Sequence, residues 1–285
     1  MGDKAAAFNP EVFTKTAQEK SNARLKMWLE ICAHCGLCAD TCHFYLANER
    51  DPKMMPAYKA KKVLETIKKK NKFDEDRLDE FYETIYGECT MCRRCTMFCP
   101  FGIDVASIIS MARSLSASQG KVPKELLKAV EGHLESGNQM SITEEEWVDT
   151  LEWMEEELQE ELPGATIPID KKGAEFLYVV NAREPKFYPM DISQAAMVFY
   201  LAGADWTMSR KGWDVTNLAM FMGDIAAATK IAKMVRDAAE ELEVKRVVVT
   251  ECGHALRSLQ FESPIWLGRD HQFEVVHSVS LFAEY

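Results

Sequence analysis

Apolar residues recur every three or four positions through much of the first half of the chain, a spacing that is typical of amphipathic helices. The predicted helices lie within 10–31, over 56–70, over 76–86, after Pro100, over 123–133 and over 141–162. We therefore expect this part of the chain to be built from helices rather than from short β-hairpins.

The helix predicted over 141–162 combines a narrow apolar stripe with a dense acidic surface. Ser141 and Glu144 have the spacing of a capping box, which favours a helix start at this point. The apolar stripe is predicted to contain Trp147, Leu151, Met154 and Leu158. The acidic residues on the other faces indicate either a solvated surface or a docking surface for a basic partner.

The pattern changes after residues 162–173, where two prolines and two glycines indicate a linker. Short β-branched runs then predict buried parallel strands, separated by helical patterns over 192–201 and 225–242. The predicted strands are 176–180, 246–250, 273–277 and a weaker one near Asp205. Alternating strands and helices favour a small α/β domain with a parallel sheet. The expected organisation is a helical domain over 1–161, a linker over 162–173 and an α/β domain over 174–285.

Composition and charge narrow the classes of protein to which the chain can belong. The chain has 285 residues, of which 47% are hydrophobic and 28% charged, as in a soluble globular protein. Its net charge of −11 makes nucleic acid an unexpected partner. Since neither an export signal nor an apolar stretch of membrane-spanning length is found, we expect a cytoplasmic protein with reduced cysteines. Docking to a membrane subunit remains open.

Eight of the nine cysteines fall into two copies of one pattern, C-x2-C-x2-C-x3-C. The members are Cys32, Cys35, Cys38 and Cys42 in the first copy and Cys89, Cys92, Cys95 and Cys99 in the second. Three thiolates from one tight loop, with a fourth arriving from elsewhere, are typical ligands of a [4Fe–4S] cluster. We therefore expect two [4Fe–4S] clusters. Structural zinc, which usually uses separated C-x2-C knuckles, is the alternative.

Two-cluster ferredoxins indicate how the two copies share their ligands. In those proteins the fourth cysteine of each run binds the other cluster. The first cluster is then expected to use Cys32, Cys35, Cys38 and Cys99, and the second Cys89, Cys92, Cys95 and Cys42. His34 and His43 are candidates to donate hydrogen bonds to a cluster sulfur, although ordinary packing also accounts for both.

The ninth cysteine, Cys252, comes just after the predicted strand 246–250 and opens a short predicted helix. A thiol at a helix N-terminus is often reactive because its pKa is lowered. Cys252 is therefore the one candidate catalytic residue, and a buried, inert cysteine is the alternative.

These motifs carry a resemblance to known proteins. The paired cysteine runs with their long helical insert resemble the α-helical ferredoxin domains of fumarate reductase iron–sulfur subunits and of heterodisulfide reductases. "YPMDISQAAMVFYLAGADWTMS" and "TECGHALRS" extend the resemblance to the D-type subunits of heterodisulfide reductase and to the K-type subunits of the dissimilatory sulfite reductase-linked membrane complex.

The same resemblance implies that the α/β domain is a degenerate copy of the CCG module. Cys252 matches the first cysteine of the module's C-x-x-C, whereas Ala255 replaces the second, and an upstream Cys-Cys pair is missing. We expect that the chain ends before a complete CCG half. A third, non-cubane cluster would then need ligands from a further C-terminal segment.

The resemblance implies an electron-transfer subunit of a membrane-associated respiratory complex of dissimilatory sulfate or sulfur metabolism. Electrons would pass through the two [4Fe–4S] clusters towards a heterodisulfide-reductase-type thiol/disulfide site. The implied partners are a membrane cytochrome b-type subunit, other subunits of the complex and a small sulfur-carrier protein with a disulfide or trisulfide. The chain would lie peripherally on the inner face of the cell membrane. The alternatives are a disulfide reductase that uses Cys252 and an iron–sulfur subunit of another quinone- or cytochrome-linked oxidoreductase.

Overall fold

The computed structural model describes residues 8–20, 23–68, 75–250 and 252–285. The chain divides into two compact units. The first contains Met1–Leu126 and Met220–Asp224, and the second contains Leu127–Ala219 and Ile225–Tyr285. No helix in the described ranges is long and apolar enough to cross a lipid bilayer.

The first unit is helical. Its helices are α1 (Pro10–Lys20), α2 (Ala23–Ile31), α3 (Leu37–Asp40), α4 (His43–Ala47), α5 (Pro56–Lys68), α6 (Glu75–Tyr82), α7 (Arg94–Met97) and α8 (Val105–Ser118). A 3-10 turn (Pro52–Met54) precedes α5, and a π-helical turn (Glu83–Gly87) follows α6. Lys69 and Lys70, which the predicted helix over 56–70 includes, lie outside the described residues.

Helix α8 forms the centre of this unit. It packs against α1, α5, α6 and α7, and Ile108, Ile109, Ala112 and Leu115 are fully buried in the shared core. Asp104 caps its N-terminus by accepting a hydrogen bond of 3.1 Å from the backbone N–H of Ser107. The helix predicted after Pro100 is thus present, and both cysteine runs precede it in the chain.

The second unit alternates strands and helices. Its elements are α9 (Lys124–Ser136), α10 (Glu144–Glu161), β1 (Phe176–Val179), α11 (Arg183–Phe187), α12 (Met190–Leu201), β2 (Trp206–Thr207), α14 (Ile225–Glu241), β3 (Arg246–Val249), α15 (Gly253–Arg257), α16 (Ser263–Leu267), β4 (Glu274–His277) and α17 (Ser278–Glu284). Two helices contain a boundary between the units, α9 and α13 (Leu218–Met222), since Lys124 and Met220 belong to the first unit.

The four strands form one parallel sheet in the order β2-β1-β3-β4. Phe176 of β1 pairs with both Trp206 and Arg246, and Arg246 pairs in turn with Glu274. Because successive strand residues point to opposite faces, Phe176 and Tyr178 join one hydrophobic core while Leu177 and Val179 join another. The predicted parallel sheet is therefore confirmed, including its weakest strand.

The helix α10 belongs to the sheet and not to the cysteine-rich unit. Its stripe of Trp147, Leu151, Met154 and Leu158 is fully buried in the core that also contains Phe176. The predicted linker is packed as well, with Ala165 and Ile167 in that core. The boundary expected at 162–173 thus falls inside the second unit, because an amphipathic helix buries its stripe against the nearest apolar sheet face.

The capping box of α10 differs from the predicted one by two residues. The hydroxyl of Thr143 accepts a hydrogen bond of 3.2 Å from the backbone N–H of Glu146, and the Glu146 carboxylate accepts one of 2.8 Å from the N–H of Thr143. Ser141 has a positive φ of 53° and lies outside the helix. The choice of Ser141 and Glu144 was wrong because the sequence offers two overlapping Ser/Thr-x-x-Glu patterns.

Candidate iron–sulfur sites

Both cysteine runs fold into the same local structure. The second residue after the first cysteine has a positive φ in each loop, 52° at His34 and 54° at Met91. The fourth does so again, with 85° at Gly36 and 65° at Arg93, and a four-residue helix follows in each case. Left-handed residues reverse the local backbone direction, so that a short loop can bring several cysteines near one another.

Two cavities in the first unit collect the thiols. One, of about 290 Å³, is lined by five cysteines: Cys32, Cys35, Cys38, Cys95 and Cys99. The other, of about 30 Å³, is lined by four: Cys42, Cys89, Cys92 and Cys95. The lining of each cavity therefore includes the four cysteines that the crossed arrangement of two-cluster ferredoxins would assign to one centre, and Cys95 lines both cavities.

The thiols are close enough to disfavour one another's ionisation. Burial raises the pKa of Cys38, and the nearby Cys32, Cys35 and Cys99 add to the effect, against a hydrogen bond from the N–H of Ala57. Burial also raises the pKa of Cys95 to about 12. The thiols that add to this second shift are Cys89, Cys92, Cys38 and Cys42. Crowded, partly buried thiols of this kind ionise when a cationic centre binds to them.

The donor set fits iron–sulfur clusters. A [4Fe–4S] centre uses four cysteine thiolates as ligands, and each cavity is lined by at least four cysteines. Within the described ranges, no three His, Cys, Asp or Glu side chains come together closely enough to hold a single metal ion.

Backbone N–H groups point at two of the sulfurs. The N–H of Met91 donates to Cys89 Sγ and the N–H of Ile103 donates to Cys99 Sγ, each at 3.4 Å. His34 Nδ1 lies 3.9 Å from Cys32 Sγ, whereas the ring of His43 packs beside Phe44. Donors to cluster sulfurs favour the reduced form of a cluster.

Three charged residues around the second loop escaped the sequence analysis. Arg113 is 3% exposed and donates to the carbonyl of Cys89 at 2.5 Å, and Lys59 is 2% exposed and donates to the carbonyl of Glu88 at 2.5 Å. Asp104 accepts hydrogen bonds from Arg93 and from Thr96. The available signals were a lone arginine on the apolar face of α8 and an aspartate directly before that helix.

Cys252 lies apart from the other cysteines along the chain, in the second unit, which contains no other cysteine. It caps α15 two positions after Thr250, which follows β3 at the carboxyl edge of the parallel sheet. Its half-buried side chain packs against the core that contains Val249. Ala255, at the position of the second cysteine in a C-x-x-C, is buried in the same core.

Comparison with known proteins gives a consistent picture. Residues 28–103, which include all eight paired cysteines, match the family model of the 4Fe-4S dicluster domain. An Hdr-like menaquinol oxidoreductase iron-sulfur subunit of Archaeoglobus profundus is 30% identical over 272 aligned residues, covering 85% of this chain and 47% of the relative. An Hdr-like menaquinol oxidoreductase iron-sulfur subunit 2 of Archaeoglobus fulgidus is 27% identical over 278, covering 87% and 48%.

The chain thus spans about half the length of the curated relatives that it matches. No solved structure matches it. These similarities support a relationship with Hdr-like iron–sulfur subunits, and they do not single out the K-type subunits of the sulfite reductase-linked complex.

Proposed function

We propose that this chain is an electron-transfer subunit of a membrane-associated, Hdr-like oxidoreductase, and that its eight paired cysteines hold two [4Fe–4S] clusters. The observation that carries the proposal is the pair of cavities, each lined by a complete set of four thiols. Such clusters, when bound, take up and release single electrons. The first uses Cys32, Cys35, Cys38 and Cys99, and the second Cys89, Cys92, Cys95 and Cys42.

The residues of the chain fix the thiols and their surroundings. Left-handed positions at matching places in both loops bend the backbone around the cysteines. The N–H groups of Met91 and Ile103 donate to the sulfurs that they face. Cys95 lines both cavities, so the two groups of thiols lie next to each other. Two neighbouring centres are suited to passing electrons from one to the other.

The setting of the electron transfer is proposed from the relatives. Both are named as menaquinol oxidoreductase subunits, so a quinol oxidised by a cytochrome b-type membrane subunit is the proposed electron donor. The proposed acceptor is a small sulfur-carrier protein with a disulfide or trisulfide, in dissimilatory sulfate or sulfur metabolism. The chain would then be bound peripherally at the inner face of the membrane through its partner subunits.

The experiment is to purify the tagged chain from its native membranes in mild detergent and to add menaquinol anaerobically. We expect a haem-containing membrane protein to copurify and EPR signals of reduced clusters to appear after quinol addition. The quinol-linked role would be contradicted if no membrane protein copurified and if dithionite reduced the clusters while menaquinol left them oxidised.

A second candidate function is disulfide reduction by this chain itself. It is favoured by the position of Cys252 at the carboxyl edge of the parallel sheet, where α/β proteins place their sites. The Cys252→Ser variant tests it, with Thr250→Ser, a change on the same edge, as the control. Full disulfide-reducing turnover in Cys252→Ser would eliminate this candidate.

A further inference from the structure

The loop that starts the second cysteine run is held by two buried cations. The guanidinium of Arg113 donates to the carbonyl oxygen of Cys89, and the ammonium of Lys59 donates to the carbonyl oxygen of the preceding residue, Glu88. Both side chains are almost fully buried, at 3% and 2% exposure. Two positive charges therefore act on consecutive peptide groups of a single ligand loop.

Neither cation is neutralised by a carboxylate. Within the described ranges, the ion pairs include neither Lys59 nor Arg113, so each uses carbonyl oxygens and aromatic rings instead. Arg113 also donates to the carbonyls of Ile85 and Phe221, and its guanidinium lies 4.9 Å from the ring centre of Tyr86. A buried guanidinium that meets only dipoles keeps its full charge, because arginine does not deprotonate in proteins.

Both charges lie close to one ligand residue, since the hydrogen bonds from Arg113 and Lys59 end on the carbonyl oxygens of Cys89 and of the residue before it, each at 2.5 Å. A positive charge that favours the Cys89 thiolate also favours any further negative charge placed at the same centre.

Among the described residues that line the first cavity, Lys61 is the one lysine or arginine. Its side chain, however, is 58% exposed and faces Glu65 at 4.0 Å. Solvent and a paired carboxylate screen such a charge, so that it contributes little.

We propose that Arg113 and Lys59 make the centre held by Cys89, Cys92, Cys95 and Cys42 the more easily reduced of the two, so that an added electron resides there. This inference rests on the proposed function. The step is a one-electron reduction by an external donor, a quinol in the complex or dithionite in the test, and no covalent bond changes. A buried positive charge lowers the energy of the reduced, more negative state through the weakly screening interior.

The test is a dithionite titration of the anaerobically purified chain, followed by EPR, in which each centre gives its own midpoint potential. The component missing from Cys92→Ser identifies the second centre, and it should have the higher midpoint in the unmodified protein. Arg113→Gln and, separately, Lys59→Met should each lower that midpoint. We expect about a tenfold weaker reduction, or about 59 mV for one electron. The first centre should change less.

Matched variants separate charge from structure. Arg113→Lys, which keeps the charge, should retain most of the high potential, and Lys61→Met, on the same helix as Lys59, should shift neither midpoint. Iron content is measured throughout, and unmodified protein without cluster iron would defeat the proposed function and this inference together. Two results at full iron content would overturn this inference alone. One is that the midpoint potential of the second centre does not change in Arg113→Gln and Lys59→Met. The other is that the second centre has the lower midpoint potential in the unmodified protein.

Discussion

Arg93 and Asp104 form an ion pair in which the guanidinium Nη2 lies 3.1 Å from the carboxylate Oδ2. The same carboxylate accepts hydrogen bonds from the hydroxyl of Thr96 and from the backbone and hydroxyl of Ser107. Burial would raise the pKa of Asp104, but the bonds from Ser107 and Thr96 and the charge of Arg93 outweigh it and lower the pKa. One ionised side chain thus ties the second cysteine loop to the start of α8.

Replacing Asp104 by alanine should therefore weaken both the fold and the loop. The loss of a helix cap lowers the free energy of unfolding by about 1–2 kcal/mol, and the freed Arg93 loop should bind iron less tightly. Urea unfolding and iron per chain are the measurements. Asp79→Ala is the control, because that carboxylate is 63% exposed and pairs with Lys121 at the surface. Equal effects of the two substitutions would count against this role of Asp104.

The packing of α10 on the sheet gives a second prediction. Leu151 is fully buried in the core shared with β1. Leu151→Ala should lower the free energy of unfolding of the second unit by about 2–5 kcal/mol, since it leaves a cavity. Trp153→Ala, on the exposed face of the same helix, should cost far less. Chemical unfolding followed by tryptophan fluorescence measures both, and a small effect at Leu151 would mean that α10 is an appendage.

His133 provides a prediction on pH. Its ring is buried, with Nδ1 3.6 Å from Oδ2 of Asp214, and burial lowers its pKa although the charge of Asp214 opposes this. Above pH 6.5, the ordinary pKa of histidine, both the folded and the unfolded chain hold a neutral ring. Below that pH the unfolded chain binds a proton that the folded chain does not, so stability falls until the lowered folded pKa is reached.

The His133→Gln variant should show a smaller loss of stability between about pH 7.5 and about pH 5.5 than the unmodified chain. Urea unfolding at the two pH values measures the loss. Part of it should persist, because burial also lowers the pKa of His271. Identical losses in variant and unmodified chain would show that His133 does not contribute to the acid sensitivity.

The strands and most helices were predictable because their signals are local. The β-branched run of β3 and the stripe of α10 appear where their spacing indicates. The boundary between the units was not predictable in the same way. Proline and glycine over 162–173 mark a turn of the chain, but they do not tell whether that turn is exposed or, as at Ala165 and Ile167, packed in a core.

In the candidate site, too, features with a local sequence signal were predictable, whereas features that depend on tertiary packing were not. Eight cysteines at a repeated spacing favour iron–sulfur ligation, since few other functions require that pattern. Arg113 and Lys59 act through the carbonyls of Cys89 and Glu88. Those partners are 24 and 29 positions away along the chain, so their roles appear only when α5 and α8 are packed.

The central claim is that the two cysteine runs hold two [4Fe–4S] clusters. It is tested most directly by measuring iron, acid-labile sulfide and zinc per chain on anaerobically purified protein, with an EPR spectrum after reduction. We expect about eight irons and about eight sulfides per chain, with the interacting signals of two neighbouring reduced clusters. Zinc without iron, in a colourless protein, would contradict it and return the cysteine runs to a structural role.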